Sequence, residues 1–224
     1  MTAIAGLAIA GTATAEDYVD IVNRAFAAID NDYHESWAFT ESSEEEGLVY
    51  VGRYDPSRPQ AERWTLLSVD GREPTRVEIE DYTDRREDDF GKDRDDSDRN
   101  ADIVNFDTLE LLEATDDYWL FSFVPGTDDD EGDKFLAQVD GTIKVVRDGH
   151  YLEFIELKND KPIRPAFSVK ISKFLTRMTF GPAGDRGPVV PYSIDVRIKG
   201  RAAVVVSINE TELTRYSDYE YVGG

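Results

Sequence analysis

Two periods divide this chain. In residues 16–30 the apolar side chains Tyr18, Val19, Val22, Phe26 and Ile29 recur at helical spacing, and acidic residues fill the first turn, where the helix dipole favours them. The spacing predicts one amphipathic helix with a stripe to bury. From Tyr33 the period becomes two. Trp37 and Phe39 share a strand face within residues 33–40, and Leu48–Tyr54, which contains Tyr50, and Trp64–Val69 read as further strands. Between them lie Pro56 and Pro59, which cannot donate to a sheet ladder. Asp70-Gly71 marks a turn.

Thr75-Arg76-Val77-Glu78 has the form of a capping box, preceded by Pro74. It predicts a second helix from about Thr75 into the late 80s, with a sparse apolar face of Val77, Ile79 and Tyr82. Residues 84–102 are dominated by Asp and Arg and read as a solvated helix end running into a mobile acidic loop; a second acidic cluster spans 128–133. The remainder is strand-like. Trp119, Phe121 and Phe123 alternate with Leu120, Ser122 and Val124. Asp140-Gly141 between residues 135–139 and 142–146 is a hairpin signal. Asp148-Gly149 and Asn159-Asp160-Lys161-Pro162 predict turns, and 181–188 a long loop. Ile194, Val196 and Ile198 alternate with Asp195, Arg197 and Lys199, as in a sheet with one wet face. A last strand is expected to begin within 203–208.

Many antiparallel strands with one apolar face need cover, and the sequence offers a helix at the start and another mid-chain. The expected fold is α+β, mostly β: a single strongly curved antiparallel sheet, a half-barrel, with an N-terminal helix and a mid-chain helix covering the concave face. Neither an internal repeat nor a linker interrupts it, so one domain is expected.

Composition narrows the picture. A chain of 224 residues suits one β-rich domain, and 40% hydrophobic with 11% aromatic residues is enough for a core. The net charge is -22. Such a surface repels phosphate backbones and anionic headgroups, so neither nucleic acid nor stable membrane insertion is expected. Absence of Cys excludes thiol catalysis, cysteine zinc sites, disulfides and a lipoprotein anchor. Residues 3–10 are small and apolar, and Ala13-Thr14-Ala15 is an A-x-A pattern. Residues 1–15 therefore read as a signal peptide cleaved after Ala15, although no basic residue precedes the run; a start upstream would supply one. The mature chain, 16–224, is expected in the periplasm as a monomer.

Catalytic chemistry finds little support. His34 and His150 lie in no metal-ligand spacing, and no serine sits in a G-x-S-x-G elbow. Asp93, Asp95 and Ser97 alternate as calcium ligands do, but the sixth and twelfth positions are Asp98 and Val104 instead of Gly and Glu. No catalytic residue, metal or cofactor is expected. Trp37, Phe39, Tyr50, Trp64, Trp119, Phe121 and Phe123 are the candidate ligand contacts; the same residues would equally fill a packed core.

The order of elements is familiar. A helix after the signal segment leads to antiparallel strands. The Trp64 strand runs through Asp70-Gly71-Arg72-Glu73-Pro74-Thr75 into a helix, and a meander with Val139-Asp140-Gly141-Thr142 follows. This arrangement resembles exported bacterial proteins related to the outer-membrane lipoprotein carriers LolA and LolB, over the whole mature chain. The resemblance implies a half-barrel with a helical lid over an apolar cavity. The expected function is a non-catalytic periplasmic binding protein for a lipid, an acyl chain or a lipoprotein. The alternative is an envelope structural or interaction protein with a filled core and a working acidic loop. A hydrolase ranks third, since no nucleophile and base can be named.

Overall fold

The computed structural model describes residues 15–45, 47–90, 103–126, 135–166, 168–184, 187–203 and 206–223. The expected signal peptide up to Thr14, the calcium candidates Asp93, Asp95 and Ser97, and the acidic cluster at 128–133 lie outside them. Three helices are described: α1 (Ala15–Ala27), the single turn α2 (Tyr33–Ser36) and α3 (Arg76–Phe90). Eleven strands follow the pattern of alternation: β1 (Trp37–Glu45), β2 (Leu48–Tyr54), β3 (Trp64–Val69), β4 (Glu110–Ala114), β5 (Tyr118–Phe123), β6 (Asp140–Val146), β7 (Tyr151–Lys158), β8 (Ile163–Ala166), β9 (Val169–Pro182), β10 (Val189–Ala202) and β11 (Val206–Tyr221). Among the described residues no helix is long and apolar enough to cross a membrane.

All eleven strands form one antiparallel sheet in the order β3-β2-β1-β11-β10-β9-β7-β6-β5-β4, with β8 on the side of β9. The sheet does not close; β3 and β4 are its two edges. Register defines which side chains share a face, because partners across a ladder point the same way. One such row runs Leu66, Gly52, Glu41, Tyr216 across β3, β2, β1 and β11. A neighbouring row runs Thr214, Ile194, Met178, Ile155, Ile143, Phe121 from β11 to β5. Thr214 and Tyr216 are two apart on one strand, so both rows belong to one continuous face.

The apolar end of this face forms the main core. Phe121, Ile143, Val145 and Leu152 are fully buried and pack with Ile21, Val22 and Ala25 of α1. A smaller cluster at the other end joins Leu66 and Val69 of β3 to Tyr82 of α3. The start of α3 obeys its capping box: the Thr75 backbone N–H donates to Glu78 Oε2 at 2.7 Å, and the Glu78 N–H donates to Thr75 Oγ1 at 3.4 Å.

Several local expectations change. The strand expected from Tyr33 starts only at Trp37, because Tyr33–Ser36 closes a helical turn first. As expected, the acidic stretch from 84 begins as a helix end, which α3 carries to Phe90. Asp140-Gly141 is no hairpin: Leu136–Gln138 is a 3-10 turn, and Asp140 and Gly141 open β6. The glycine serves close packing instead, since a Cβ there would stand 2.5 Å from Phe123 Cε1. β9 and β10 extend to Pro182 and from Val189, which shortens the expected 181–188 loop. β11 starts at Val206, inside the expected 203–208 window, and runs to Tyr221.

Candidate functional site

The sheet face changes character at β1. Phe39, Glu41 and Ser43 alternate toward it, and Glu41 is only 5% exposed. Its cross-strand partners are Gly52 on β2 and Tyr216 on β11. Gly52 has no side chain to fill the space beside Glu41, and Tyr82 of α3 enters instead: a Cβ on Gly52 would lie 2.8 Å from Tyr82 Cζ. One helical turn later, Arg86 reaches down from the same face of α3 and pairs with Glu41. The Arg86 guanidinium also lies over the rings of Trp64 and Tyr82, at 4.5 and 5.2 Å from their centroids. Cations favour such faces for their ring quadrupole.

Aromatic side chains wall this ion pair. Phe39 stands edge-on to Trp64 at 5.8 Å and tilted against Tyr54 at 5.1 Å, while Tyr216 meets Phe39 at 5.8 Å. Tyr54 is wholly buried. Removing a charge pair from water carries a large cost that only close pairing offsets. Burial acts most strongly on Arg86 and disfavours its charge, yet the Glu41 carboxylate together with the Tyr82 and Tyr216 phenols outweighs it and holds the pKa above the ordinary value. Burial pushes the Tyr82 hydroxyl up to about 12, so it stays protonated across the neutral range.

Two cavities meet at this pair. The larger, about 220 Å³, is lined by Glu41, Ser43, Tyr82, Arg85, Arg86, Ile194, Glu212, Thr214 and Tyr216. The smaller, about 70 Å³, lies toward His34, Tyr33, Phe39, Tyr54 and Trp64. Glu41, Arg86 and Tyr216 line both, which makes the ion pair their shared wall. The larger cleft offers two carboxylates, Glu41 and Glu212, two guanidiniums, Arg85 and Arg86, and the hydroxyls of Ser43, Tyr82, Thr214 and Tyr216, with Ile194 beside Thr214 as its aliphatic lining residue. It can hold a polar group by charge-assisted hydrogen bonds while apolar atoms lie along the sheet. Among the described residues no group of three or more His, Asp or Glu could hold a metal ion.

The seven aromatic candidates separate. Phe39 and Trp64 are in the box around Arg86, and Tyr50 lies beside it with the Arg85 guanidinium 5.4 Å from its ring. Trp37 packs edge-on with Tyr221, 5.4 Å away, outside both cavities. Phe121 and Phe123 sit in the core with α1. Trp119 lies at its rim between Arg147, 4.2 Å above the ring, and His150 at 5.1 Å. Register places these three on β5, across seven intervening strands from β3 and Trp64. The residues that build the cleft but escaped sequence reasoning are Glu41, Ser43, Tyr82, Arg86, Thr214 and Tyr216. Only Tyr82 carried a signal, as a lone aromatic on the sparse face of a capped helix. No protein-family model matches this chain, and no curated protein or solved structure is detectably similar to it.

Proposed function

We propose that this protein is a non-catalytic carrier of a single-tailed amphiphile, acting in the periplasm after export. The carrying observation is the cleft of about 220 Å³ between α3 and the sheet, polar at Glu41, Ser43, Arg86 and Thr214 and apolar at Ile194. In this reading the sheet curls into a half-barrel. Helices α1 and α3 then cover two ends of its concave face, and the ligand enters the gap between them. The headgroup sits against the charged pair and hydroxyls; the tail follows Ile194 toward Met178, its cross-strand partner. Size supports a small ligand. Pockets for drug-sized molecules run to roughly 300–1,000 Å³, so this one suits a single chain better than a lipoprotein anchor. Each methylene buried adds about 0.8 kcal/mol. The experiment is native mass spectrometry of protein purified from cells, followed by titration with a fluorescent fatty acid. A one-to-one adduct is expected, lost when Ser43→Trp fills the cleft. A clean apo mass with no fatty-acid binding overturns the proposal.

A second reading rests on a separate observation. Around α1 the side chains Phe121, Ile143, Val145 and Leu152 are fully buried, which supports a filled core and a structural role for that half of the sheet. Under it, the Ser43→Trp variant would behave like the parent in every binding measurement.

A further inference from the structure

Serine and threonine set opposite one another in a sheet can bond hydroxyl to hydroxyl. Thr179 on β9 and its cross-strand partner Ser193 on β10 do so, at 2.7 Å. Ser43 on β1 and its cross-strand partner Thr214 on β11 do not. These two are only 3% and 7% exposed, yet neither hydroxyl makes a hydrogen bond among the described residues. Both residues line the cleft of about 220 Å³ beside α3, and neither oxygen is sealed from it. Buried hydroxyls are ordinarily bonded. Two adjacent ones left open toward a cleft mark a place where a ligand supplies the partner.

The charges around the same cleft are unequally engaged. Glu41 and Arg86 pair with one another. Arg85 donates from Nε to the Asp81 carbonyl at 3.3 Å and lies over the Tyr50 ring. Glu212 also lines the cleft, is exposed, and makes no ion pair or hydrogen bond among the described residues. It stands two residues from Thr214 on β11, so its side chain leaves the sheet on the same face. The open groups are therefore a carboxylate and two hydroxyls. All of them accept hydrogen bonds, and the charge still to be met is negative. A primary ammonium brings one positive charge and three N–H donors, one for each of these side chains. A carboxylate head would meet Glu212 as a like charge, and a trimethylammonium head has nothing to donate. Ile194, the cross-strand partner of Thr214, offers apolar surface beside them. On the carrier reading above, on which this rests, we propose that the head of the amphiphile is a primary ammonium. It is held by Glu212, Ser43 and Thr214, and its alkyl chain leaves along Ile194.

Calorimetric titration of the full chain with decylammonium, decanoate and decyltrimethylammonium tests it, at about 0.15 M salt, where charges beyond roughly 8 Å are screened. Decylammonium is expected to bind about tenfold tighter than the other two, or better. Ethylammonium, the same head without the tail, should bind far more weakly. Glu212→Gln should weaken decylammonium about ten- to a hundredfold, the usual effect of losing a charge-assisted hydrogen bond, and leave decanoate no weaker. Thr214→Val keeps the shape and removes the hydroxyl; it should weaken decylammonium in the same selective way without lowering the urea midpoint. Equal affinity for decylammonium and decanoate overturns the ammonium assignment and leaves the carrier reading standing, whereas binding of none of the long-chain compounds overturns both. Ethylammonium bound as tightly as decylammonium also overturns the proposal. So does a preference for decylammonium that survives Glu212→Gln, which would assign it to the net charge of -22 instead.

Discussion

Gly52 and Tyr82 compete for one volume. The glycine on β2 leaves open a space beside Glu41, and the tyrosine of α3 fills it so closely that a Cβ on Gly52 would lie 2.8 Å from the Tyr82 ring carbon Cζ. Gly52→Ala should therefore push α3 off the sheet and cost about 1–3 kcal/mol, the usual range for an overpacked site. Urea unfolding measures it. Pairing Gly52→Ala with Tyr82→Phe, which removes the hydroxyl nearest the new methyl, should return part of that loss. A double variant no better than the sum of its parts would show that the two residues are not coupled.

The Glu41–Arg86 pair should behave asymmetrically. Replacing either partner alone, as in Glu41→Leu or Arg86→Met, leaves the other charge stranded among Phe39, Trp64 and Tyr216 and should cost about 3–5 kcal/mol. Replacing both should cost much less than the sum. Chemical denaturation of the two single variants and the double variant decides the matter. If the singles are near parent stability, the pair is not holding α3 to β1.

Alkaline pH should release α3. The Tyr82 hydroxyl is raised by burial from 10.0 to about 12, and burial raises Tyr219 as well. A group whose folded pKa lies above its unfolded one lends stability that is intact below pH 10 and lost as the pH climbs toward 12. Phenolate absorbance should show both tyrosines titrating after the rest. Tyr82→Phe should flatten the fall of the unfolding midpoint across that window.

Acid should loosen the start of α3. Hydrogen bonds from Arg72, at 2.9 and 2.5 Å, and then from Thr75 hold the Glu78 carboxyl down at about 2. Its folded pKa is depressed, so the contribution is whole above the ordinary 4.5 and fades as the pH drops toward 2. A carboxyl-detected NMR titration should place the Glu78 midpoint near the lower figure. Thr75→Ala, which removes one arm of the box, should lower stability by about 0.5–2 kcal/mol and move that midpoint upward.

How much of this could be read beforehand depended on the range of the interaction. The capping box at Thr75 lies within four consecutive residues and was legible as written. So was the alternation of Phe121 and Phe123, whose burial follows from a period of two. The Glu41–Arg86 pair joins positions 45 apart, and Glu41 sits in Thr40-Glu41-Ser42-Ser43, a stretch polar on both faces. Nothing local says that its carboxylate points inward. The extent of β11 was not legible for the same reason: Glu210, Glu212, Thr214 and Tyr216 lie along the face expected to be apolar, and Glu212, Thr214 and Tyr216 are polar where the cleft opens. Asp140-Gly141 misled in the opposite direction, since a glycine required by the Phe123 ring across the ladder imitates a turn.

The pairing of β1 with β11 has a consequence for how the molecule comes to be. Trp37 faces Tyr221 and Thr40 faces Ser217, so the strand that begins the sheet and the strand that completes it lie side by side in its middle. The β3-β2-β1 hairpins and α3 are stitched to the remaining strands through that one seam. It spans nearly the whole sequence, and closing so long a loop must be accomplished before any of its hydrogen bonds reward it. Folding is therefore expected to end with the two halves zipping together along β11, slowly for a chain of this size, and the cleft beside Glu41 comes into being only at that final step.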